Sequence, residues 1–256
     1  MTAHHPDVHL PLNRRRREIY DSILDHTHRE GIDLDRFFSN PSYFGKDQLG
    51  NVIEWAGHHQ ALLHWPLVEY RGGPALIESF KVRTHEVAEI AGSDSIRWVE
   101  PEHWHSTVFS PVHSSDPKVI GYPIRDISKE VSAVLNGAAS YMLRFTRVAV
   151  TNEGGILAVA FTNTDEVDRI REGLSISVPS GHASPLVHVT LGHFIQPLGR
   201  TAVNALNEFT RAFKGDSIVL GQVEVRFLTL ALYYAPFLQM KVEELSRWNL
   251  KDTKDV

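Results

Sequence analysis

The chain has 256 residues, of which 42% are hydrophobic and 22% charged, and its formal net charge is −5. This length suits one large domain or two small lobes, and the composition is ordinary for a globular protein. The absence of cysteine excludes disulfides and thiolate chemistry, and the acidic balance gives no overall attraction to nucleic acid. No apolar run approaches the roughly 20 residues of a membrane-spanning helix, and no secretory signal opens the chain. We therefore expect a cytoplasmic protein that makes no membrane contact.

Residues 1–60 are predicted to form an N-terminal extension that contains a helix and a turn-rich segment. The helix covers RRRREIYDSILDHTHRE, in which apolar residues recur with helical spacing. These residues are Ile19, Tyr20, Ile23 and Leu24. The basic run at 14–17 is interpreted as a solvated helix end rather than a nucleic-acid or targeting patch, because four basic residues alone carry little information.

Regular strands and helices are predicted from residue 61 to residue 240, followed by a polar C-terminal tail over 241–256. The predicted strands are 61–68, 104–112, 141–151, 155–161, 185–194 and a long strand over 223–235. The predicted helices are 75–91, 126–137, 164–174 and 201–214. Pro74 opens the first of these helices, Gly137 ends the second, and Thr164 caps the third.

The region 61–240 divides into two halves that share one order of elements. In each half, a strand and a helix precede a second strand that carries the tripeptide His-x-Thr. The tripeptide begins at His105 in the first half and at His188 in the second. If a pseudo-twofold axis relates the halves, the two tripeptides face each other across a groove.

The His-x-Thr pattern has a chemical meaning in a strand, where residues two apart point to the same face. His105 then shares a face with Thr107, and His188 with Thr190, while apolar residues pack behind them. One neutral and one protonated imidazole can act as base and acid, since histidine titrates near pH 6.5. The two hydroxyls can donate hydrogen bonds to phosphate oxygens. The pattern is typical of phosphodiester chemistry without a metal or cofactor.

The flanks of both tripeptides resemble one known family. IRWVEPEHWHSTVF (96–109) resembles the first motif region of the 2H phosphoesterase superfamily, which includes the RNA 2′,3′-cyclic phosphodiesterases also called 2′-5′ RNA ligases. SPLVHVTLGHF (184–194) resembles the second motif region, and the match covers residues 60 to 236. The resemblance implies a bilobal α+β fold in which two antiparallel sheets line a cleft. It also implies His105 and His188 as the acid–base pair, with Thr107 and Thr190 as phosphate ligands.

Further residues are predicted to line the substrate on weaker grounds. They are His64, His103, Arg144 and Tyr233. Arg144 could meet phosphate charge and Tyr233 or its neighbour Tyr234 could stack on a base, although a surface ion pair and a packed aromatic are the simpler interpretations. His64 lies in a predicted strand, where it could face the cleft or be buried in the core. His103 departs from the family pattern, as does a long connection over 111–140.

Other histidines offer competing interpretations. His103 and His105 could form a metal pair if His64 or His193 supplied a third ligand, although we expect no metal. Two His-x-Ser tripeptides, at His113 and at His182, lie in predicted loops and are not expected to take part. The chain contains no P-loop, GxGxxG or GxSxG motif, which argues against Walker-type hydrolysis, dinucleotide binding and an α/β-hydrolase.

The sequence therefore predicts a metal-independent phosphodiesterase without a cofactor. Its expected substrate is a cyclic phosphate or a 2′-5′-type phosphodiester of a nucleotide or RNA end. We favour His188 as the base and His105 as the acid, with the reverse assignment left open. The alternatives are a nucleotide- or phosphate-binding module with little turnover and an enzyme acting on a phosphodiester that is not a nucleotide. A monomer without a protein partner is expected.

Overall fold

A computed structural model describes residues 11–39, 44–46, 52–54, 58–111, 124–178, 181–214, 218–234 and 241–252. The helices in these ranges are α1 (Pro11–Glu30), α2 (Leu34–Phe38), α3 (Gly73–Ala91), α4 (Ile124–Leu135), α5 (Glu166–Ser177) and α6 (Arg200–Arg211). None of them combines the length and apolarity needed to cross a membrane. The strands are β1 (Phe44–Lys46), β2 (Val52–Glu54), β3 (His58–His64), β4 (Ile96–Trp98), β5 (Ser106–Phe109), β6 (Tyr141–Val150), β7 (Gly155–Thr162), β8 (His188–Phe194), β9 (Gly221–Val225), β10 (Phe227–Tyr234) and β11 (Lys241–Asn249).

The strands form two main antiparallel sheets. The four-stranded sheet has the order β11-β10-β3-β5, and the five-stranded sheet has the order β4-β8-β7-β6-β9. A separate hairpin joins β1 to β2. Both main sheets have helices packed against them. The predicted bilobal α+β fold with two antiparallel sheets is therefore confirmed.

Most of the predicted helices are confirmed because their apolar residues face the core. On α3, four apolar side chains are buried at helical spacing, namely Leu76, Ile77, Phe80 and Val87. Gly137 follows α4 with a φ of +87°, a left-handed conformation that glycine adopts without steric cost. The N-cap of α5 is Asp165 rather than Thr164, although the Thr164 hydroxyl accepts a hydrogen bond from the Glu166 amide at 3.4 Å.

Three predicted segments differ from the structure. The strand expected over 61–68 ends at His64, because Pro66 has no N–H for a sheet ladder, and a short 3₁₀ helix follows. The strand expected over 223–235 is two strands, β9 and β10, which separate at Arg226 and join different sheets. The segment expected to be a polar tail contains β11, which pairs with β10 along its length.

The two halves of the sequence are interleaved in space. Helix α3 of the first half packs on β9 and α6, on the five-stranded sheet. Helix α5 of the second half packs on β5 of the four-stranded sheet. Strand β4 also crosses over, since it pairs with β8. Strand β5 of the first motif is therefore supported by a helix from the second half, and the two lobes share one core.

Helix α1 packs on the five-stranded sheet through one buried stripe. Tyr20 and Leu24 are buried against apolar side chains of β6 and β7. The predicted helix is confirmed, and Arg14 and Arg15 are exposed as expected of a solvated end. That interpretation is wrong for Arg16, whose residue is only 2% exposed. A buried arginine needs a partner in the protein, and its contacts are described below.

Candidate active site

The two His-x-Thr tripeptides lie on strands from different sheets that contact each other. Strand β5 is at the edge of the four-stranded sheet, and β8 lies next to the edge of the five-stranded sheet. In both tripeptides the histidine and the threonine are partly exposed, whereas Ser106 and Val189 between them are buried. This alternation confirms that each pair shares a face. Strand β5 begins at Ser106, so His105 lies just before it, after a 3₁₀ turn over Pro101–His103.

Both motif strands carry a bulge directly after the threonine. Leu63 pairs with Thr107 and Leu62 with Phe109, which leaves Val108 as the extra residue of β5. In the second sheet, the pairing shifts in the same way after Thr190 and leaves Leu191 as the extra residue of β8. Bulges bend a strand and redirect its side chains, and they are frequent beside active sites. The repeated bulge supports a structural relation between the two motifs.

The ring of His105 is anchored by the main chain. Its Nδ1 lies 2.8 Å from the carbonyl oxygen of His103, and a carbonyl can only accept, so Nδ1 carries the proton. Nε2 is consequently the nitrogen that can gain or lose a proton. Desolvation of the ring lowers the pKa of His105 to about 4, while the hydrogen bond to His103 acts in the opposite direction.

The ring of His188 has a different environment. Desolvation lowers the pKa of His188 to about 4, and the positive charges of Arg171 and of protonated His105 lower it further. The contact between β5 and β8 places the two motif strands side by side. The Nδ1 of His188 is buried and has no hydrogen-bond partner among the residues that the structure describes. Both shifts favour the neutral form of the rings at pH 7 in the free protein, and one protonated histidine stays a prediction for the complex with substrate.

The two threonine hydroxyls are available for a ligand. Thr107 and Thr190 are partly exposed, and no hydrogen bond to either hydroxyl occurs within the described part of the chain. Their main chains are held in strands, which fixes the position of the side chains. Each motif therefore presents one neutral imidazole and one free hydroxyl on a rigid strand.

A buried arginine on α5 ties the two motifs together. The side chain of Arg171 donates from Nε to Val108 O at 3.1 Å and from Nη2 to Thr107 O at 3.3 Å. The same Nη2 donates to Leu186 O, two residues before His188, at 2.7 Å. Desolvation lowers the pKa of Arg171 to about 10, which still leaves it charged at pH 7. The side chain of Arg171 thus bonds to the bulge of the first motif and to the residues that directly precede the second motif.

Arg171 was not predicted from the sequence, although a signal for it is present. The buried residues of α5 are Val167, Ile170, Arg171 and Leu174. This spacing places an arginine on the apolar stripe of a helix. A charged residue in such a stripe indicates either a buried partner or a functional site.

The weaker candidates have different positions. His64 pairs with Ser106 rather than Thr107, so its side chain points to the opposite face, where it is buried and bonded to the Tyr141 hydroxyl at 2.6 Å. This places His64 in the core and corrects its prediction as a substrate-lining residue. Desolvation lowers the pKa of His64 to about 3. His103 is partly exposed and supplies the carbonyl that anchors His105.

The remaining candidates are placed only in part. Arg144 lies in β6 opposite Phe161 of β7 and is partly exposed. Tyr233 lies in β10, but its side chain falls outside the described part, as does all of His113. In the described ranges, no group of three histidine or carboxylate side chains could hold a metal ion, so the metal interpretation of His103 lacks a third ligand there.

Comparisons with known proteins support the fold. No protein-family model and no curated protein matches the chain. A conserved protein of unknown function from Agrobacterium tumefaciens, ATU0111, is similar over 87% of this chain and 97% of its own, with 13% identity and a TM-score of 0.52. TT0787 of Thermus thermophilus is similar over 77% of this chain and 98% of its own, with 13% identity and a TM-score of 0.51. LigT of E. coli in its apo form is similar over 77% of this chain and 99% of its own, with 14% identity and a TM-score of 0.48.

These similarities define the class of architecture to which the chain belongs. Nearly the full length of ATU0111 and of TT0787 superposes on it, so the chain has their α+β fold. At 13% identity, these similarities concern the fold alone.

Proposed function

We propose that the protein is a metal-independent phosphodiesterase of the 2H type. It opens a 2′,3′-cyclic phosphate, or acts on a 2′-5′-type phosphodiester, of a nucleotide or RNA end. The observation that carries this proposal is the pairing of two partly exposed imidazoles on contacting strands, each beside a threonine hydroxyl that is free in the described part. Acid, base and phosphate-oxygen donors are the groups that hydrolysis of a phosphodiester requires.

The environments of the two rings support the assignment of His188 as base and His105 as acid. The charge of Arg171 disfavours the protonated form of His188, whereas the carbonyl of His103 favours the protonated form of His105. Neutral His188 accepts a proton from water while the water oxygen bonds to phosphorus. Protonated His105 donates its Nε2 proton to the ribose oxygen as that oxygen leaves. Exchange of protons with solvent restores both rings.

Substrate binding favours uptake of the missing proton from solvent in this scheme. A phosphodiester anion between the two rings stabilises an imidazolium, so its binding raises the pKa of the histidine that it contacts. The hydroxyls of Thr107 and Thr190 donate to the non-bridging oxygens and stabilise the charge that grows there. The neutral state of both rings in the free protein is then compatible with general acid catalysis in the complex.

The packing of α1 favours a small substrate. Val159 pairs with His188, and Leu157 pairs with Thr190, so these residues of β7 lie on the same sheet face as the motif. Helix α1 covers that face of β7 through Tyr20 and Leu24. The site therefore lies beside α1 rather than on an open sheet, which suits a nucleotide or a short RNA end. A chain without cysteine also suits the cytoplasm, where we place this activity, in a monomer.

A second candidate is a phosphate- or nucleotide-binding module with little turnover. The observation that favours it is the low pKa of both histidines, since a pair that stays neutral at pH 7 has no proton to donate. Such a module would still use the two hydroxyls to bind phosphate. Binding without turnover would distinguish it from the enzyme.

Hydrolysis of the four nucleoside 2′,3′-cyclic monophosphates in EDTA tests the proposed function. We expect turnover that EDTA does not reduce, because the acid and the base are both side chains of the protein. Chromatography of the products identifies whether the 2′ or the 3′ bond breaks. Binding of these nucleotides with no turnover would support the binding module, and turnover only after addition of a metal ion would contradict the two-histidine mechanism.

A further inference from the structure

Three consecutive main-chain carbonyls directly precede His188, and a buried side chain from another element donates to each of them. The pairs are Arg16 Nε to Pro185 O at 3.3 Å, Arg171 Nη2 to Leu186 O at 2.7 Å, and the Tyr20 hydroxyl to Val187 O at 2.8 Å. Two of the three donors belong to α1, and they lie 169 and 167 residues away from their acceptors in the sequence. Residues 185–187, which lead into His188, are thus fixed by hydrogen bonds from elements outside their own sheet.

The two arginines are linked through one carboxylate. Arg16 Nη2 lies 2.5 Å and 2.6 Å from the two oxygens of Asp168, which belongs to α5. Arg171 Nη1 lies 3.8 Å from the nearer of these oxygens. Asp168 consequently offsets the buried positive charge of both side chains. Helices α1 and α5 thereby form a continuous polar network with the chain that leads into the second motif.

The network is fixed at its other end as well. Arg16 Nη1 donates to Asn13 Oδ1 at 3.1 Å and to Thr162 Oγ1 at 3.0 Å, and the Asn13 amide donates to Thr162 O at 2.6 Å. Thr162 is the last residue of β7, the strand that pairs with β8. Arg16 therefore has little freedom to move away from Pro185. A side chain with this many fixed contacts can determine the position of the backbone that it bonds.

Helix α1 also lies on the reactive side of the sheet. It packs on the face of β7 that His188 and Thr190 share through their cross-strand partners Val159 and Leu157. Its apolar contacts are with β6 and β7, and two of its hydrogen bonds go to the residues that lead into β8. A helix that only extended the fold would not need to bond to the carbonyls that lead into the motif.

We propose that α1 is a positioning element of the active site, in which Arg16 and Tyr20 hold residues 185–187 and thereby place the ring of His188. This inference rests on the proposed function and deepens it. Arg16 and Tyr20 need not touch the substrate, and they act through the backbone. Misplacement of a catalytic group by about 1 Å can cost about 10²-fold in rate, which sets the scale of the expected effect.

The test compares substitutions on α1 that remove contacts near to and far from His188. Tyr20→Phe deletes the hydroxyl that bonds to Val187 O, and Arg16→Gln deletes the guanidinium that bonds to Pro185 O. Thr27→Val is the matched control, because the Thr27 hydroxyl joins the same helix to Val150 O at 2.9 Å on β6. Each variant is assayed with a nucleoside 2′,3′-cyclic monophosphate, and the His188 signal is followed by NMR with ¹³C-labelled histidine.

We expect kcat to fall about 5-fold in Tyr20→Phe and about 50-fold in Arg16→Gln, with KM changed by less than about 2-fold because both threonines stay in place. The His188 signal is expected to move in both variants. Thr27→Val is expected to lower the melting temperature as Tyr20→Phe does but to keep kcat and the His188 signal of the wild type.

Two results would overturn the inference. One is a loss of kcat in Thr27→Val equal to that in Tyr20→Phe, which would mean that α1 contributes stability alone. The other is an unchanged His188 signal in both Tyr20→Phe and Arg16→Gln. A wild-type protein without turnover would instead refute the proposed function, and the NMR comparison would still decide whether α1 places His188.

Discussion

Alanine at either His105 or His188 is expected to lower kcat/KM for a nucleoside 2′,3′-cyclic monophosphate by about 10²-fold or more. The reason is that general acid or general base catalysis by a positioned side chain contributes about 10²- to 10⁴-fold. Both residues are partly exposed and neither belongs to the buried hydrophobic core, so the fold should tolerate the change. Steady-state kinetics in EDTA measures the effect, with circular dichroism to check that each variant is folded.

The double variant and a control histidine sharpen this prediction. Because acid and base act in one reaction step, removal of both should cost little more than removal of one. His85→Ala is the control, since His85 lies exposed on α3 with Glu89 as its ion-pair partner and should leave the rate unchanged. Full activity in either single variant would contradict the mechanism, and multiplied losses in the double variant would mean that the histidines act independently.

Arg171→Met is expected to impair both stability and turnover. The substitution removes the donors to three main-chain carbonyls, Thr107 O, Val108 O and Leu186 O, within a buried region. Buried polar groups left without partners cost about 1 to 3 kcal/mol each, part of which relaxation recovers. We expect the free energy of unfolding to fall by about 3 kcal/mol, the melting temperature by about 10 °C and kcat by about 10²-fold.

Calorimetry and kinetics on matched variants separate this effect from a general loss of charge. Arg169→Met changes the same helix, but the side chain of Arg169 is exposed and pairs only with Glu166 among the described residues, so little change is expected. Arg171→Lys should be intermediate, because an ammonium group cannot span the carbonyls that the planar guanidinium bridges. An Arg171→Met protein with wild-type kcat would show that this link between the motifs does not support turnover.

Periodicity accounts for the parts of the structure that could be predicted. The helices α3, α4 and α6 and the hairpin of β6 and β7 follow from apolar spacing and from turn residues such as Gly137. The face shared by His105 and Thr107 follows from alternation in a strand, and the exposure of the residues agrees with it. These features depend on neighbours in the sequence, which is why the sequence alone suffices for them.

Long-range contacts account for the parts that could not be predicted. In the sequence, Arg16 is one member of a basic run. Only its spacing of four residues from Tyr20, and of eight from Leu24, places it on the buried face of α1 and separates it from the other arginines. Its partner Asp168 is 152 residues away. The division of 223–235 into strands of two sheets leaves no local trace either, because buried apolar residues continue on both sides of Arg226. Strand β11 lies at the edge of its sheet and is rich in polar residues, which is why its segment was predicted to be a polar tail.

Histidine NMR during a titration with inorganic phosphate tests most directly whether His105 and His188 form one phosphate site. Both pKa values are about 4 in the free protein, and a bound anion should raise them by about one unit or more, since it stabilises each imidazolium. At a pH between the free and the phosphate-bound values, signals of His105 and His188 should therefore shift together at one phosphate concentration, while exposed His85 stays in place. A shift of only one of the two, or of neither while phosphate binds, would contradict a shared site.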